Sequence, residues 1–145
     1  MEPVESTIEL TINSSFKFIE LVASITDSII QIVGFGQEEA HWIGLSVREC
    51  VINAIKHGNK LDNAKPVDVK FVIGDDDIKI YVRDRGDGFD PNCIPNPLDP
   101  TNLLNPNGRG IFYMRTFMDE VVFSNHPQGG TLVKMLKRKV NNELS

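Results

Sequence analysis

Two helix-length runs stand back to back in this chain ahead of two strand-length runs, and that order excludes most α/β topologies. Residues 16–33 place Phe18, Leu21, Val22, Ile25, Ile29 and Ile32 at helical spacing, with Gly34 and Gly36 as the stop. Residues 37–56 carry a second stripe of Trp42, Leu45 and Ile52, flanked by Ile43, Val51 and Ile55. Residues 67–73 and 78–84 then alternate apolar and polar side chains, and Gly74-Asp75-Asp76-Asp77 between them predicts a hairpin. A strand over residues 6–13, with Ile8, Leu10 and Ile12 on one side, precedes the helices, and Ser14 and Ser15 offer a helix cap. Near the end, residues 111–118 read as a short helix. Residues 121–124 and 131–139 read as strands joined by Pro127-Gln128-Gly129-Gly130. The order β-α-α-β-β-loop-α-β-β predicts an α+β two-layer sandwich, a mixed and mainly antiparallel sheet with helices on one face. A doubly wound sheet needs strands and helices in alternation, and they do not alternate here.

Bulk properties narrow the partners. At 145 residues the chain is expected to form one domain over residues 1–145. A domain of that size buries about two-thirds of its unfolded surface. A net charge of −5 argues against nucleic acid, whose phosphates are bound by clustered Lys and Arg. Lys134, Lys137, Arg138 and Lys139 are the one such group, and they interleave with Val133, Met135 and Leu136 as the wet side of a strand. Cys50 and Cys93 form no CxxC and are too few for a zinc site, which predicts reduced thiols. With no signal-like h-region and no apolar run near the roughly 18 residues of a membrane span, a cytoplasmic protein is expected.

Four local patterns bear on chemistry. Glu49 and Asn53 are four apart, so they share a helix face one turn from each other, and His57 continues the line. Asp84-Arg85-Gly86-Asp87-Gly88-Phe89 follows a strand directly, and its alternate glycines allow the backbone to approach a ligand. The stretch 85–108, with five prolines and five asparagines, has no sustained period and is long for a loop in a compact domain. It runs into Gly108-Arg109-Gly110, whose N–H groups at a helix start suit an anion. Gly129-Gly130-Thr131 opens the last strand. Taken singly, a solvated stripe, glycine-rich turns and an ordinary hairpin explain each pattern as well as a site does.

The sequence order of the four is more specific than any one of them. A Glu-x3-Asn helix, a hairpin ending in DxGxGF, a Pro/Asn-rich loop into GxG and a Gly-Thr before the final strand together resemble the GHKL ATP-binding fold. The His-Gly-Asn ending of the helix and the run Gly-Arg-Gly-Ile-Phe-Tyr-Met-Arg-Thr-Phe-Met-Asp-Glu-Val are similar to the anti-sigma-factor serine kinases of the RsbW/SpoIIAB type. Neither the P-loop signature nor the protein-kinase HRD and DFG set occurs.

The resemblance implies a role for each matched residue. Glu49 becomes the base that takes the proton of a substrate serine, and Asn53 the ligand of Mg²⁺. Asp84 becomes the anchor for the adenine amine, supported by Thr131, with Gly86 and Gly88 letting the chain pass close to the base. Gly108 and Gly110 open the phosphate cradle, residues 91–107 form a short lid, and Arg109 is the nearest cation. Where some relatives carry an arginine before that box, this chain has Asn105-Pro106-Asn107. His57 either touches phosphate or caps its helix. The implied substrate is a serine on a STAS-domain anti-anti-sigma protein, the second partner a sigma factor, and the assembly a homodimer using ATP and Mg²⁺.

Three other readings are open to the same sequence. A sensor histidine kinase catalytic domain is expected to follow a phospho-acceptor hairpin, and residues 16–33 contain no histidine. A nucleotide-gated binding regulator without kinase turnover needs no base, whereas Glu49 is present. A plain ATPase of the DNA-repair or chaperone kind works with large additional domains.

Overall fold

The computed structural model describes residues 5–88 and 114–140. Strand β1 (Ser6–Asn13) leads through a 3-10 turn (Phe16–Phe18) into helix α1 (Ile19–Val33). Helix α2 (Gln37–Asn53) continues as a π-type turn (Ala54–Gly58). Strands β2 (Pro66–Ile73) and β3 (Asp77–Arg83) form the expected hairpin, and β4 (Glu120–Asn125) and β5 (Thr131–Arg138) form the second. Residues 114–117 are helical; the rest of the expected helix 111–118 up to residue 113 lies outside the described residues.

The five strands lie in the order β1-β2-β3-β5-β4, and all four pairings are antiparallel. Alternation sorts the two faces. Val67, Val69 and Phe71 of β2 and Ile78, Ile80 and Val82 of β3 are buried with Val22, Ile29, Ile43, Val47 and Val51 of the helices. Each such side chain contributes about 1.5–3 kcal/mol by leaving water. Asp68, Lys70, Lys79, Tyr81, Arg83 and Lys134 point to the opposite, half-exposed face. The two-layer α+β sandwich is therefore what forms, with both described helices on one face. Inserting β5 between β3 and β4 has a consequence for chemistry. Arg83 at the end of β3 pairs with Leu132 near the start of β5, so the two chain segments that follow and precede these strands meet at one end of the sheet.

The helices differ from the sequence expectation in their rotation. On α1 the inward residues are Ile19, Val22, Thr26, Ile29, Ile30 and Val33, while Leu21 is 51% and Ile32 71% exposed. Thr26 takes a core position because its Oγ1 donates to the Val22 carbonyl one turn back at 2.7 Å, so no polar group is orphaned. On α2 the expected flank is the core: Ile43 and Val51 are fully buried beside Val47 and Cys50, and Trp42, Leu45 and Ile52 are half-buried. The serine cap is also different. Ser15 makes no side-chain cap, and Ser14 Oγ donates instead to the Lys65 carbonyl at 2.6 Å. Gly34 stops α1 as expected, at φ 87° with its N–H on the Ile30 carbonyl.

Candidate active site

Successive residues of α2 lie about 100° apart around the helix, so Glu49 and Cys50 have different surroundings. Cys50 turns inward, with Sγ 3.2 Å from Met114 Sδ and 3.7 Å from Met135 Sδ. Burial, and secondarily the charge of Glu49, push its thiol up to about 12, so it is an inert core residue. Glu49 is half-buried, and loss of hydration raises its carboxyl above the ordinary 4.5. A carboxylate with a raised pKa is a better proton acceptor near neutral pH. One turn on, Asn53 Oδ1 is buried without a hydrogen-bond partner among the described residues. A buried amide oxygen without a donor is costly, and a hard cation that prefers oxygen ligands would satisfy it. The donor thus fits Mg²⁺.

The end of this helix lands on the glycine-rich turn that begins at Asp84. Gly58 closes the π-type turn and lies against Asp84, where a Cβ would overlap the carboxylate on the Oδ2 side. Gly86 returns the contact, because a Cβ there would overlap the Gly58 carbonyl. At about 1.5 Å of rise per residue, Asn53 stands only about 7 Å further along from this junction. Asp84 is itself buried beyond the end of β3, and its Oδ1 accepts from the Gly86 N–H at 2.9 Å and the Thr131 N–H at 3.0 Å. The Asp84 N–H donates to the Thr131 carbonyl at 3.0 Å. Three sequence-distant segments, the Gly58 end of the helix that carries Glu49 and Asn53, the turn of Asp84 and Gly86, and the start of β5 at Thr131, therefore meet in one place.

The remaining expected residues fall as follows. Gly88 belongs to the same turn, at φ 79°, beside Asn125. His57 is exposed on the last turn of the helix, where a basic side chain suits the helix dipole. Gly108, Arg109 and Gly110, and the loop 91–107, lie outside the described residues. The helical residues that follow them are fastened to α2: Phe117 stacks on Trp42 with centroids 3.6 Å apart and planes 8° from parallel. Lys137 Nζ donates to the Phe117 carbonyl at 2.8 Å. A groove of about 520 Å³ on the opposite sheet face, lined by Glu9, Asp68, Lys70, Tyr81 and Arg83 among others, contains none of the candidate residues.

Comparison with known proteins bears on the family and the fold. The family described as Histidine kinase-like ATPase domain matches residues 16–137. The chain belongs to that family. Curated relatives include Serine-protein kinase RsbW of Staphylococcus aureus, 28% identical over 144 residues, covering 94% of this chain and 89% of the relative. RsbW of the bovine RF122 / ET3-1 strain is 27% identical over the same coverage. Among solved structures, the RsbU and RsbW domains of Rv1364c from Mycobacterium tuberculosis superpose with a TM-score of 0.66 at 18% identity. That match covers 92% of this chain and 32% of the larger one, and establishes likeness of fold. No helix among the described residues is long and apolar enough to cross a membrane.

Sequence reasoning included Gly58, Asn59 and Gly130 in its patterns but gave none of them a role of its own. Gly130 lies against the Asp84 backbone carbonyl, and Asn59 is a buried hub of hydrogen bonds. A His-Gly-Asn ending reads as a helix stop, which hides both Gly58 and Asn59. The signal available was the pairing of that stop with a DxGxG turn, since two glycines are needed where two backbones touch.

Proposed function

We propose that this protein is an ATP-dependent protein serine kinase whose substrate is a serine of a STAS-domain anti-anti-sigma protein, and that it binds and inhibits a sigma factor as a homodimer. The observation that carries the reading is the junction of Gly58 with Asp84, which joins the end of the helix bearing Glu49 and Asn53 to the turn bearing a buried carboxylate. The RsbW relatives, named serine-protein kinases, support the reaction class.

In this reading Asp84 receives the adenine amine. Its Oδ1 is already held by two backbone N–H groups, so the carboxylate is oriented before any nucleotide arrives. Gly86 and Gly88 keep the backbone thin beside the base, and Thr131 fixes the Asp84 carboxylate through its N–H. Gly108, Arg109 and Gly110 receive the phosphates. Asn53 Oδ1 is the residue that would hold Mg²⁺, which neutralises phosphate charge during transfer. The serine Oγ attacks the γ-phosphorus, the bond to the ADP oxygen breaks, and the serine proton passes to Glu49. Burial that raises the Glu49 carboxyl favours this transfer. For the homodimer, β1 is a sheet-edge strand with Ile8 exposed, a surface suited to a second copy. Light scattering at micromolar concentration checks it, and a clean monomer rejects it.

The test of function mixes the protein with Mg-ATP and a STAS-domain partner, comparing wild type with Glu49→Ala. Phosphoserine is expected with wild type alone, with nucleotide bound by both. Equal phosphorylation by both removes Glu49 as base. Nucleotide binding with no phosphorylation by wild type leaves a nucleotide-gated regulator instead.

A further inference from the structure

We infer that Asn59 is a positioning residue for the nucleotide site, setting the distance between the end of α2 and the turn that carries Asp84. The inference rests on the ATP-binding reading above and adds a residue which that reading does not use.

Asn59 follows Gly58 and is 1% exposed. Its backbone stays helical, at φ −88° and ψ −3°, with its N–H on the Ala54 carbonyl at 2.8 Å. The side chain therefore moves with α2. Its two ends do different things. Nδ2 donates to Ser14 Oγ at 2.9 Å, the Lys65 carbonyl at 3.0 Å and the Pro66 carbonyl at 3.1 Å, tying the helix end to the β1 exit and the β2 entry. Oδ1 accepts from the Arg85 N–H at 2.6 Å.

That last bond sets the geometry. Arg85 is the residue between Asp84 and Gly86, so consecutive N–H groups of the turn are held by two carbonyl-type oxygens: Arg85 by Asn59, and Gly86 by Asp84 itself. Asp84 alone would fold the turn back on its own carboxylate and leave its distance from α2 unspecified. The Asn59 bond supplies that distance, and the glycines at 58 and 86 allow it to be short. The Arg85 side chain leaves in another direction, to Asp68 Oδ2 at 2.5 Å, so the turn is held from both sides. Glu49, ten residues back on α2, is held independently by the core packing of Val47, Cys50 and Val51. Loss of the Asn59 bond thus frees the adenine side and leaves the base in place. A merely structural residue would loosen both or neither.

The experiment measures ADP binding by titration calorimetry and thermal denaturation for wild type, Asn59→Ala and Ser14→Ala, then ATP kinetics on the STAS-domain substrate. Ser14→Ala cuts one of the Nδ2 links without touching the Arg85 bond. At a temperature where all three are folded, Asn59→Ala is expected to bind ADP at least tenfold more weakly. Its KM for ATP rises in parallel and its kcat stays within about threefold, since misplaced binding groups lose affinity through disorder. Ser14→Ala is expected to lower Tm and keep the wild-type affinity. Unchanged ADP affinity in Asn59→Ala, or an equal loss in Ser14→Ala, overturns the inference. If Asn59→Ala does not fold, amide hydrogen exchange of the nucleotide-free wild type decides. Protection of the Arg85 N–H matching the β2–β3 ladder supports the assignment, and free exchange overturns it. Failure of wild type to bind ADP or ATP rejects the nucleotide reading itself, a result separate from any mutant difference.

Discussion

Gly58 and Asp84 lie so close that a single methyl group on the glycine would occupy the space of the carboxylate. One residue closes the π-type turn after α2 and the other follows β3, so this contact joins the two halves of the proposed site. Gly58→Ala is expected to cost about 1–3 kcal/mol by overpacking, because Asp84 is buried and held on its far side by Thr131 and Gly86. ADP binding is lost with it. Asp84→Ala leaves the Gly86 and Thr131 N–H groups without their acceptor but makes room for the new methyl, so the double variant should lose less stability than the two single losses summed and still bind no nucleotide. Tm and calorimetry on the three variants check this; strictly additive stability losses would mean the two groups do not touch.

Asn53 is expected to separate stability from function. Its Oδ1 is buried without a donor among the described residues, so the folded protein carries the cost of an unmet acceptor. Asn53→Ala therefore holds its Tm or raises it by about 2–4 °C, the shift that roughly 1 kcal/mol gives at this size. At the same time its ATP affinity in magnesium falls to the level that wild type has in EDTA. A drop of Tm together with retained magnesium dependence would assign Asn53 to the fold alone.

Trp42 is the single tryptophan of the chain and stacks on Phe117 at 3.6 Å. Phe117 follows Gly110 by seven residues of sequence, so if Gly108, Arg109 and Gly110 receive the phosphates as proposed, nucleotide binding is expected to alter the stack. ADP titration should change Trp42 emission in wild type. In Phe117→Ala the emission shifts to the red before any ligand is added, the ADP response shrinks, and stability falls by at least the roughly 0.5–1.5 kcal/mol of an aromatic pair. An unchanged spectrum in the variant would contradict the stack.

What was legible in the sequence was whatever depends on period. Alternation in residues 67–73 and 78–84 gave the hairpin with its faces, because a strand's period of two leaves no choice of side. Helices are less forgiving. A rotation of one position moved Trp42 and Leu45 to the margin and brought Val47 and Cys50 inward, since the sheet decides which side of a wide apolar stripe is used. For the candidate site, spacing showed only that Glu49 and Asn53 share a helix face and that Asp84 follows a strand; their proposed roles came from the resemblance carried by the order of the four patterns. Asn59 was not legible, because its role depends on partners at Ser14, Lys65, Pro66 and Arg85, which no local window contains.

The carboxyl of Glu49 gives a pH dependence whose sign differs for stability and for catalysis. Burial raises its folded value above the ordinary 4.5, so between those two values the folded state binds more proton than the unfolded chain. Stability from this group is therefore present at low pH and is lost as pH rises through the folded value. Glu49→Gln removes the ionisation, so its Tm should fall less than that of wild type as pH rises from 4.5 toward neutrality. Catalysis runs the other way. A base must be unprotonated to take the serine proton, so kcat of wild type climbs through the same window and flattens above it. The residual rate of Glu49→Gln should lack that acid limb altogether. Parallel Tm curves for the two proteins, or an acid limb that survives the substitution, would show that the titrating group is another one.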